Sequence, residues 1–243
     1  MSVFSVDPAK YKTTCAFVVG HTGEVGKELV RELIDKKLFQ KVVLIGRRQV
    51  ENAEFDDSVE QKIVDFDKLD EHKDAFAGCT VGFCCLGTTR AKAGKDGFYK
   101  VDHDYTVNTA RVSKAADCEH FNLVTAAGAN ANSWIFYNKT KGQTEHDVDA
   151  LQFARLCIYR PALLLCDRAE QRTGEKVLNV MMKPISAVKP KLVSVPTSAV
   201  AKAMLLSLWS SETGKVAYEN AQLHDMAALF DQSFKKPENE TGQ

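Results

Sequence analysis

Tyr137 is the one tyrosine of six in this chain with a lysine, Lys141, four residues further on. On a helix that spacing puts both side chains on one face. A phenol beside an ammonium is a proton-transfer pair, because the positive charge favours phenolate and draws a hydroxyl of ordinary pKa about 10 toward working pH. Such a pair could exchange a proton with an oxygen that alternates between carbonyl and alcohol. Thr125, in Asn122-Leu123-Val124-Thr125-Ala126-Ala127-Gly128, adds a hydroxyl that could polarise the same oxygen. An exposed helical pair would show the same spacing, so the surrounding elements must decide.

The second group is a glycine turn, Val18-Val19-Gly20-His21-Thr22-Gly23-Glu24-Val25-Gly26-Lys27. Its glycines fall where an apolar run gives way to a helical pattern. There the first glycine permits a tight turn, the second lets a pyrophosphate approach the backbone, and the third lets helix and strand pack closely. The helix N-terminus then favours an anion. A plain strand-to-helix turn could use the same glycines. A nucleoside-triphosphate loop could not be built here, since it needs glycine at His21 and Ser or Thr at Glu28. The next apolar run ends Leu44-Ile45-Gly46-Arg47-Arg48. An NAD-binding unit usually carries Asp or Glu at this point for the ribose 2′-hydroxyl. Two arginines suit a 2′-phosphate instead, unless they are solvated loop charges. NADP(H) is therefore the expected cofactor.

The elements that would hold these groups alternate. Candidate strands are 16–19, 41–45, 62–64, 80–86, 120–124 and 156–159. Helical patterns run over 24–37, 69–77, 97–116 and about 134–151. This alternation predicts an α/β, Rossmann-like, doubly wound parallel sheet built from right-handed crossovers. Beyond Arg160-Pro161 the pattern loosens, with a mixed stretch to Lys191, a helix near 198–209, a strand-like piece at 215–218 and a helix near 222–234. One domain is expected. Residues 162–235 would form a small C-terminal lobe for substrate, and residues 1–13 and 236–243 would be flexible.

Composition narrows the class. Of 243 residues 44% are apolar and 26% charged, enough for a sizeable core. Lys plus Arg and Asp plus Glu are 32 each, which excludes the basic excess of a general nucleic-acid binder. The seven cysteines lie mostly in apolar runs without a Cys-x-x-Cys pair, so no metal is expected and reduced core thiols are. The first residues lack the basic and long apolar regions of a signal peptide, and no apolar run reaches transmembrane length. A cytoplasmic location follows, with nuclear or membrane-peripheral placement open.

Together, Gly20-x-x-Gly23-x-x-Gly26 and Tyr137-x-x-x-Lys141 resemble the short-chain dehydrogenase/reductase superfamily in its atypical or extended branch. Longer stretches, Leu44–Arg48, Val64-Asp65-Phe66, Gly82–Arg90, His120–Leu123 and Arg160–Arg168, are similar to the HIV Tat-interacting protein family, from about residue 14 to about 230. The resemblance implies a pyrophosphate turn of Gly20, Gly23 and Gly26 with Thr22, Glu24 and Val25 beside it, and Arg47 and Arg48 at the 2′-phosphate. It implies Asp65 at the adenine amino group and Leu86, Gly87 and Thr88 beneath the cofactor. Pro161 and Leu164 would border the nicotinamide, with Thr125, Tyr137 and Lys141 catalytic. Two positions depart from the family pattern: His21 replaces a small residue, and Thr125-Ala126 replaces a Ser-Ser pair.

Two functions follow. One is an NADP(H)-dependent oxidoreductase acting on a small-molecule carbonyl or alcohol. The other is a non-enzymatic NADPH-sensing module that binds regulatory protein partners; the resemblance implies partners connected with transcription, transport or apoptosis. Three further features carry less. Asp102 and Asp104 would diverge on a helix and are read as a solvated face, Cys84-Cys85 as inert strand packing, and His224 as structural.

Overall fold

The structure, a computed structural model, describes residues 4–51, 55–166 and 190–235. The apolar runs form the strands of a parallel sheet: β1 Cys15–Val19, β2 Lys41–Gly46, β3 Val59–Ile63, β4 Cys79–Cys84, β5 His120–Val124 and β6 Arg155–Arg160. A short strand, β7 Leu163–Leu165, pairs with β8 Ser194–Pro196, while β9 Gly214–Glu219 joins the main sheet. The seven-stranded order is β3-β2-β1-β4-β5-β6-β9. Chain order reverses between β1 and β4, the switch point where open α/β sheets bind ligands beyond the strand carboxyl ends.

Register brings those ends level. Val19 pairs with Ile45 and Cys84, Cys84 with Leu123, and Val124 with Tyr159. Gly20, Gly46, Leu86, Thr125 and Pro161 therefore leave the sheet along one edge. The helices are α1 Glu24–Lys36, α2 Arg90–Tyr99, α3 Thr106–Lys114, α4 Phe136–Asp149, a single turn α5 Pro190–Val193, α6 Thr197–Leu206 and α7 Asn220–Ser233. On one face of the sheet Ala16 and Val18 pack in a core with α1, α6 and α7. On the other, Phe17 and Val19 pack with Ala110 and Val112 of α3 and Val148 of α4. Burial on both faces explains why these strands read as unbroken apolar runs rather than alternating ones.

The helical pattern over 97–116 does not form one helix. It divides into the end of α2, a π-helical segment Lys100–Tyr105 and α3. Side-chain hydroxyls occupy carbonyls of the wide turn: Thr106 donates to Val101 O at 3.3 Å and Thr144, from α4, to Asp102 O at 3.0 Å. The N-terminal stretch, expected to be flexible, is docked from Phe4 onward. Tyr11 Oη donates to Leu208 O at 2.8 Å, and Trp209 Nε1 donates to Asp7 O at 2.7 Å. Residues 236–243, and 167–189 within the expected substrate lobe of 162–235, lie outside the described residues. The rest of that stretch is largely core, since α6 is buried along most of its length against α1. No disulfide joins cysteines among the described residues. No helix among the described residues is long and apolar enough to cross a membrane.

Candidate active site

Backbone packing, rather than turn freedom alone, requires two of the three turn glycines. Gly20 sits at φ +77°, and a Cβ there would lie 2.5 Å from the Cys85 carbonyl carbon. A Cβ on Gly26 would lie 2.2 Å from Gly20 O. Gly23 is less tightly hemmed in: a Cβ there would lie 3.3 Å from Gly20 O, a close contact rather than a clash. Gly23 also caps α1 without a side-chain bond, which leaves helix N-terminal amides and their dipole available to an anion. A glycine turn that runs into an uncapped helix N-terminus fits a dinucleotide pyrophosphate. Thr22 is exposed beside it, Glu24 begins α1 half-buried, and Val25 turns into the core.

His21 is buried, and neither ring nitrogen makes a regular hydrogen bond to a described residue. Burial holds its imidazole below the usual histidine range. Arg47 and Arg48 follow β2, are exposed, and form no ion pair with any described residue. Asp65 follows β3, exposed, with Oδ1 accepting the Asp67 N–H at 2.9 Å as a helix cap. Pro161 is buried next to β5, its carbonyl accepting from Ala127 N at 2.8 Å, and Leu164 is exposed on β7.

Tyr137 and Lys141 lie in the first two turns of α4. Tyr137 is partly exposed, its ring 5.4 Å from that of Phe98. Lys141 is buried, with Nζ 2.7 Å from Asp102 Oδ1. Burial alone would lower its pKa, but Asp102 and the neighbouring Tyr137 oxygen more than offset this, and the ammonium is held above the usual lysine value. Thr125, expected at the substrate oxygen, is buried. Its hydroxyl donates to Glu145 Oε1 at 2.6 Å, and Glu145 in turn receives Arg160 Nε at 3.0 Å and Nη2 at 2.5 Å. Ala126, also buried, supplies no hydroxyl.

Asp102 corrects the solvated-face reading. It is 2% exposed and its second oxygen, Oδ2, accepts from Thr88 N at 2.8 Å. Asp104 does diverge from it, toward His103 Nδ1 at 2.8 Å. A signal for Asp102 was present: Phe98, Asp102, Thr106 and Ala110 recur every four residues, and all four are buried. Glu145 belongs to a similar stripe, four residues after Lys141. Cys84 is buried, as strand packing requires, and burial pushes its thiol up to about 11. His224 is structural: Nε2 lies 2.8 Å from Ser194 O. Among the described residues no cluster could hold a metal ion.

A parallel sheet with its switch point beside a glycine turn defines a nicotinamide-dinucleotide-binding Rossmann protein. The family model described as NAD(P)H-binding matches residues 20–163. Over 208 residues the chain is 44% identical to Protein HTATIP2 of Rattus norvegicus, covering 85% of this chain and 86% of that protein. The chain belongs to that Tat-interacting protein family of short-chain dehydrogenase/reductase-like proteins. It is also 30% identical over 232 residues to the protein named FMP52, mitochondrial, of Meyerozyma guilliermondii, with 90% and 97% covered. Among solved structures, a short-chain dehydrogenase/reductase superfamily protein of Agrobacterium tumefaciens with bound NAD superposes with TM-score 0.61. That likeness is at 14% identity over 84% of this chain and 76% of the other, and it bears on fold alone.

Proposed function

We propose that the protein is an NADP(H)-dependent oxidoreductase acting on a small-molecule carbonyl or alcohol. The observation that carries this is Tyr137 on the same face of α4 as a buried, charged Lys141, on the strand-end side that also carries the turn of Gly20, Gly23 and Gly26. Bound NADPH supplies hydride to a carbonyl carbon. Tyr137 gives its phenolic proton to the carbonyl oxygen, and the Lys141 ammonium stabilises the phenolate left behind. Lys141 has three N–H donors and gives one to Asp102, leaving two for the nicotinamide ribose hydroxyls. Arg47 and Arg48 take the 2′-phosphate, Asp65 the adenine amino group, and Leu86, Gly87 and Thr88 the underside of the cofactor. Pro161 and Leu164 border the nicotinamide. For Thr125 to polarise the substrate oxygen, its hydroxyl must rotate away from Glu145.

That engagement of Thr125, with Ala126 at the following position, favours one second reading: a cofactor-binding module whose NADPH-bound surface is read by a protein partner. A single experiment separates the two. NADPH affinity is titrated by intrinsic tryptophan fluorescence, and hydride transfer is screened over aldehydes and ketones, for wild type and Tyr137→Phe. The oxidoreductase reading expects turnover that Tyr137→Phe abolishes while NADPH affinity holds. Binding without turnover across the screen would favour the module. We place the protein in the cytoplasm, a location supported by cysteines that form no disulfide among the described residues.

A further inference from the structure

Three thiols that the reductase reading does not use converge at the amino-terminal ends of the strands, away from the glycine turn. Cys15 opens β1, Cys79 opens β4, and Cys118 stands just before β5. Alternation along β4 would place Cys79 with Val81 and Phe83, which pack on the α1 face of the sheet. It does not lie there. Cys79 packs on the opposite face, with Phe17, Cys118 and the partly buried Cys15. A β-bulge makes the difference: Cys15 is the register partner of Cys79, but Ala16 pairs with Val81, so Thr80 is an extra residue. One inserted residue swaps the faces of all that precedes it in the strand, and bulges re-aim side chains in this way. Here the bulge sets two cysteines side by side on neighbouring strands. Neighbouring strands run about 4.8 Å apart, inside the roughly 4.4–6.8 Å that a disulfide spans between Cα atoms.

We propose that Cys15 and Cys79 are a reversible dithiol site, oxidised by a hydroperoxide to a disulfide between β1 and β4. Cys15 is half-buried and within reach of a small oxidant, while Cys79 is buried behind it. The Cys79 thiol hydrogen-bonds to the Cys15 sulfur and, with the Lys41 ammonium, holds Cys15 below the usual thiol range despite burial and the Glu60 charge. A thiol so placed is the nucleophile of the pair. The same hydrogen bond, with burial, pushes Cys79 up. The Cys15 thiolate attacks the peroxide: an S–O bond forms, the O–O bond breaks, and the departing hydroxide takes a proton to become water. Cys15 is then a sulfenic acid. The Cys79 sulfur attacks it, the S–S bond forms, and the S–O bond breaks. The hydroxide released carries off the Cys79 proton as a second water. One peroxide is reduced by two electrons and the two thiols are oxidised by two. Cys118 is the competing partner, but its Sγ faces His120 O at 3.5 Å and Thr80 O at 3.7 Å, and burial pushes it up to about 12. In a reducing compartment such a disulfide is transient, as suits a sensing site. The pair lies at the opposite strand ends from Gly20 and Thr125, so the proposal does not rest on the oxidoreductase reading.

The test treats the full-length protein, reduced and then freed of reductant, with hydrogen peroxide. Remaining thiols are blocked with iodoacetamide, and peptides are mapped by mass spectrometry without reduction. A Cys15–Cys79 cross-link should accumulate, both residues should be lost to alkylation, and dithiothreitol should restore them. In Cys79→Ser the oxidation should stop at the sulfenic acid, so that Cys15 gains dimedone label several-fold over wild type. Cys15→Ser should leave Cys79 open to alkylation, and Cys118→Ser should keep the cross-link. Oxidation that falls on other cysteines while Cys15 and Cys79 both stay alkylatable would overturn the proposal. A dominant Cys79–Cys118 link would overturn the pairing, and equal dimedone labelling of Cys15 in wild type and Cys79→Ser would remove Cys79 as the second sulfur. Should a serine variant fail to fold, the wild-type map still decides, because presence or absence of the cross-link is read there without any substitution.

Discussion

The imidazole of His21 fills the space where a side chain at position 46 would begin: a Cβ on Gly46 would lie 2.7 Å from His21 Cε1. The departure from the usual small residue in the glycine turn and the missing acid at the end of β2 are thus one packing arrangement. A large residue in the turn is accommodated because the next strand ends in glycine. Gly46→Ala should therefore cost about 1–3 kcal/mol, the usual range for overpacking a filled site. His21→Ala in the same chain should recover most of it. Urea unfolding of the two single variants and the double one measures the coupling, and simple additivity would show that the two positions do not share the space.

The same arrangement bears on cofactor choice. Gly46 brings no side-chain acceptor for a ribose 2′-hydroxyl to the end of β2, and Arg47 and Arg48 beyond it form no ion pair among the described residues, as guanidinium groups that take a 2′-phosphate would require. NADPH should bind well and NADH poorly. Arg47→Ala or Arg48→Ala should each weaken NADPH by on the order of 1.5–3 kcal/mol, the range for hydrogen bonds to charged groups, and leave NADH nearly unchanged. Fluorescence titration with both nucleotides checks this. Equal affinity for the two, unaltered by either substitution, would defeat the assignment.

What the sequence made legible divides along physical lines. The glycine turn, the strand ends and the Tyr137–Lys141 pair depend on spacing within one element or across one connection, so periodicity places them correctly. Asp102 needed two things that periodicity does not supply: a local widening of the helix, and a partner, Lys141, far along the chain on α4. Its four-residue recurrence with Phe98 and Thr106 pointed inward, but a carboxylate at such a position is ordinarily read as solvated until its cation is known. Thr125 shows the complementary limit. Its place at the end of β5 follows from the pattern, while the direction of its hydroxyl depends on Glu145 and Arg160, which arrive from α4 and β6. The docking of Tyr11 on the Leu208 carbonyl, nearly two hundred residues away, had no local sign at all.

Acid should unfold the protein through its buried histidines. His120, at the start of β5, is held at about 3 by burial and by the nearby Arg155 and Lys10 charges, against an ordinary value of 6.5. Below 6.5 the unfolded chain binds a proton that the folded one refuses, so stability is complete above that pH and falls from there toward 3. His120 alone should cost about 2 kcal/mol at pH 5, and His21, shifted the same way by burial, adds to it. Urea unfolding at pH 7.5 and pH 5 should show the loss. His120→Gln, with no proton to gain, should shrink the difference between the two pH values without removing it. An equal pH dependence in wild type and His120→Gln would show that the residue is not the source.

Thr125 and Ala126 decide how much catalysis the end of β5 contributes. The one proton of the Thr125 hydroxyl goes to Glu145 Oε1, whose carboxylate also holds Arg160. Thr125→Val removes a donor to a charged acceptor and should cost about 1.5–3 kcal/mol of stability. Turnover should fall only slightly, because Tyr137 still supplies the proton. A serine at 126 returns a hydroxyl that Glu145 does not claim. Ala126→Ser should raise kcat by about tenfold, or about 1.4 kcal/mol of barrier, with NADPH affinity unchanged. Paired measurements of unfolding and of carbonyl reduction on the two variants keep structural loss separate from chemical loss. If Thr125→Val leaves stability intact yet abolishes reduction, the hydroxyl turns toward substrate during turnover and Thr125 polarises the carbonyl itself.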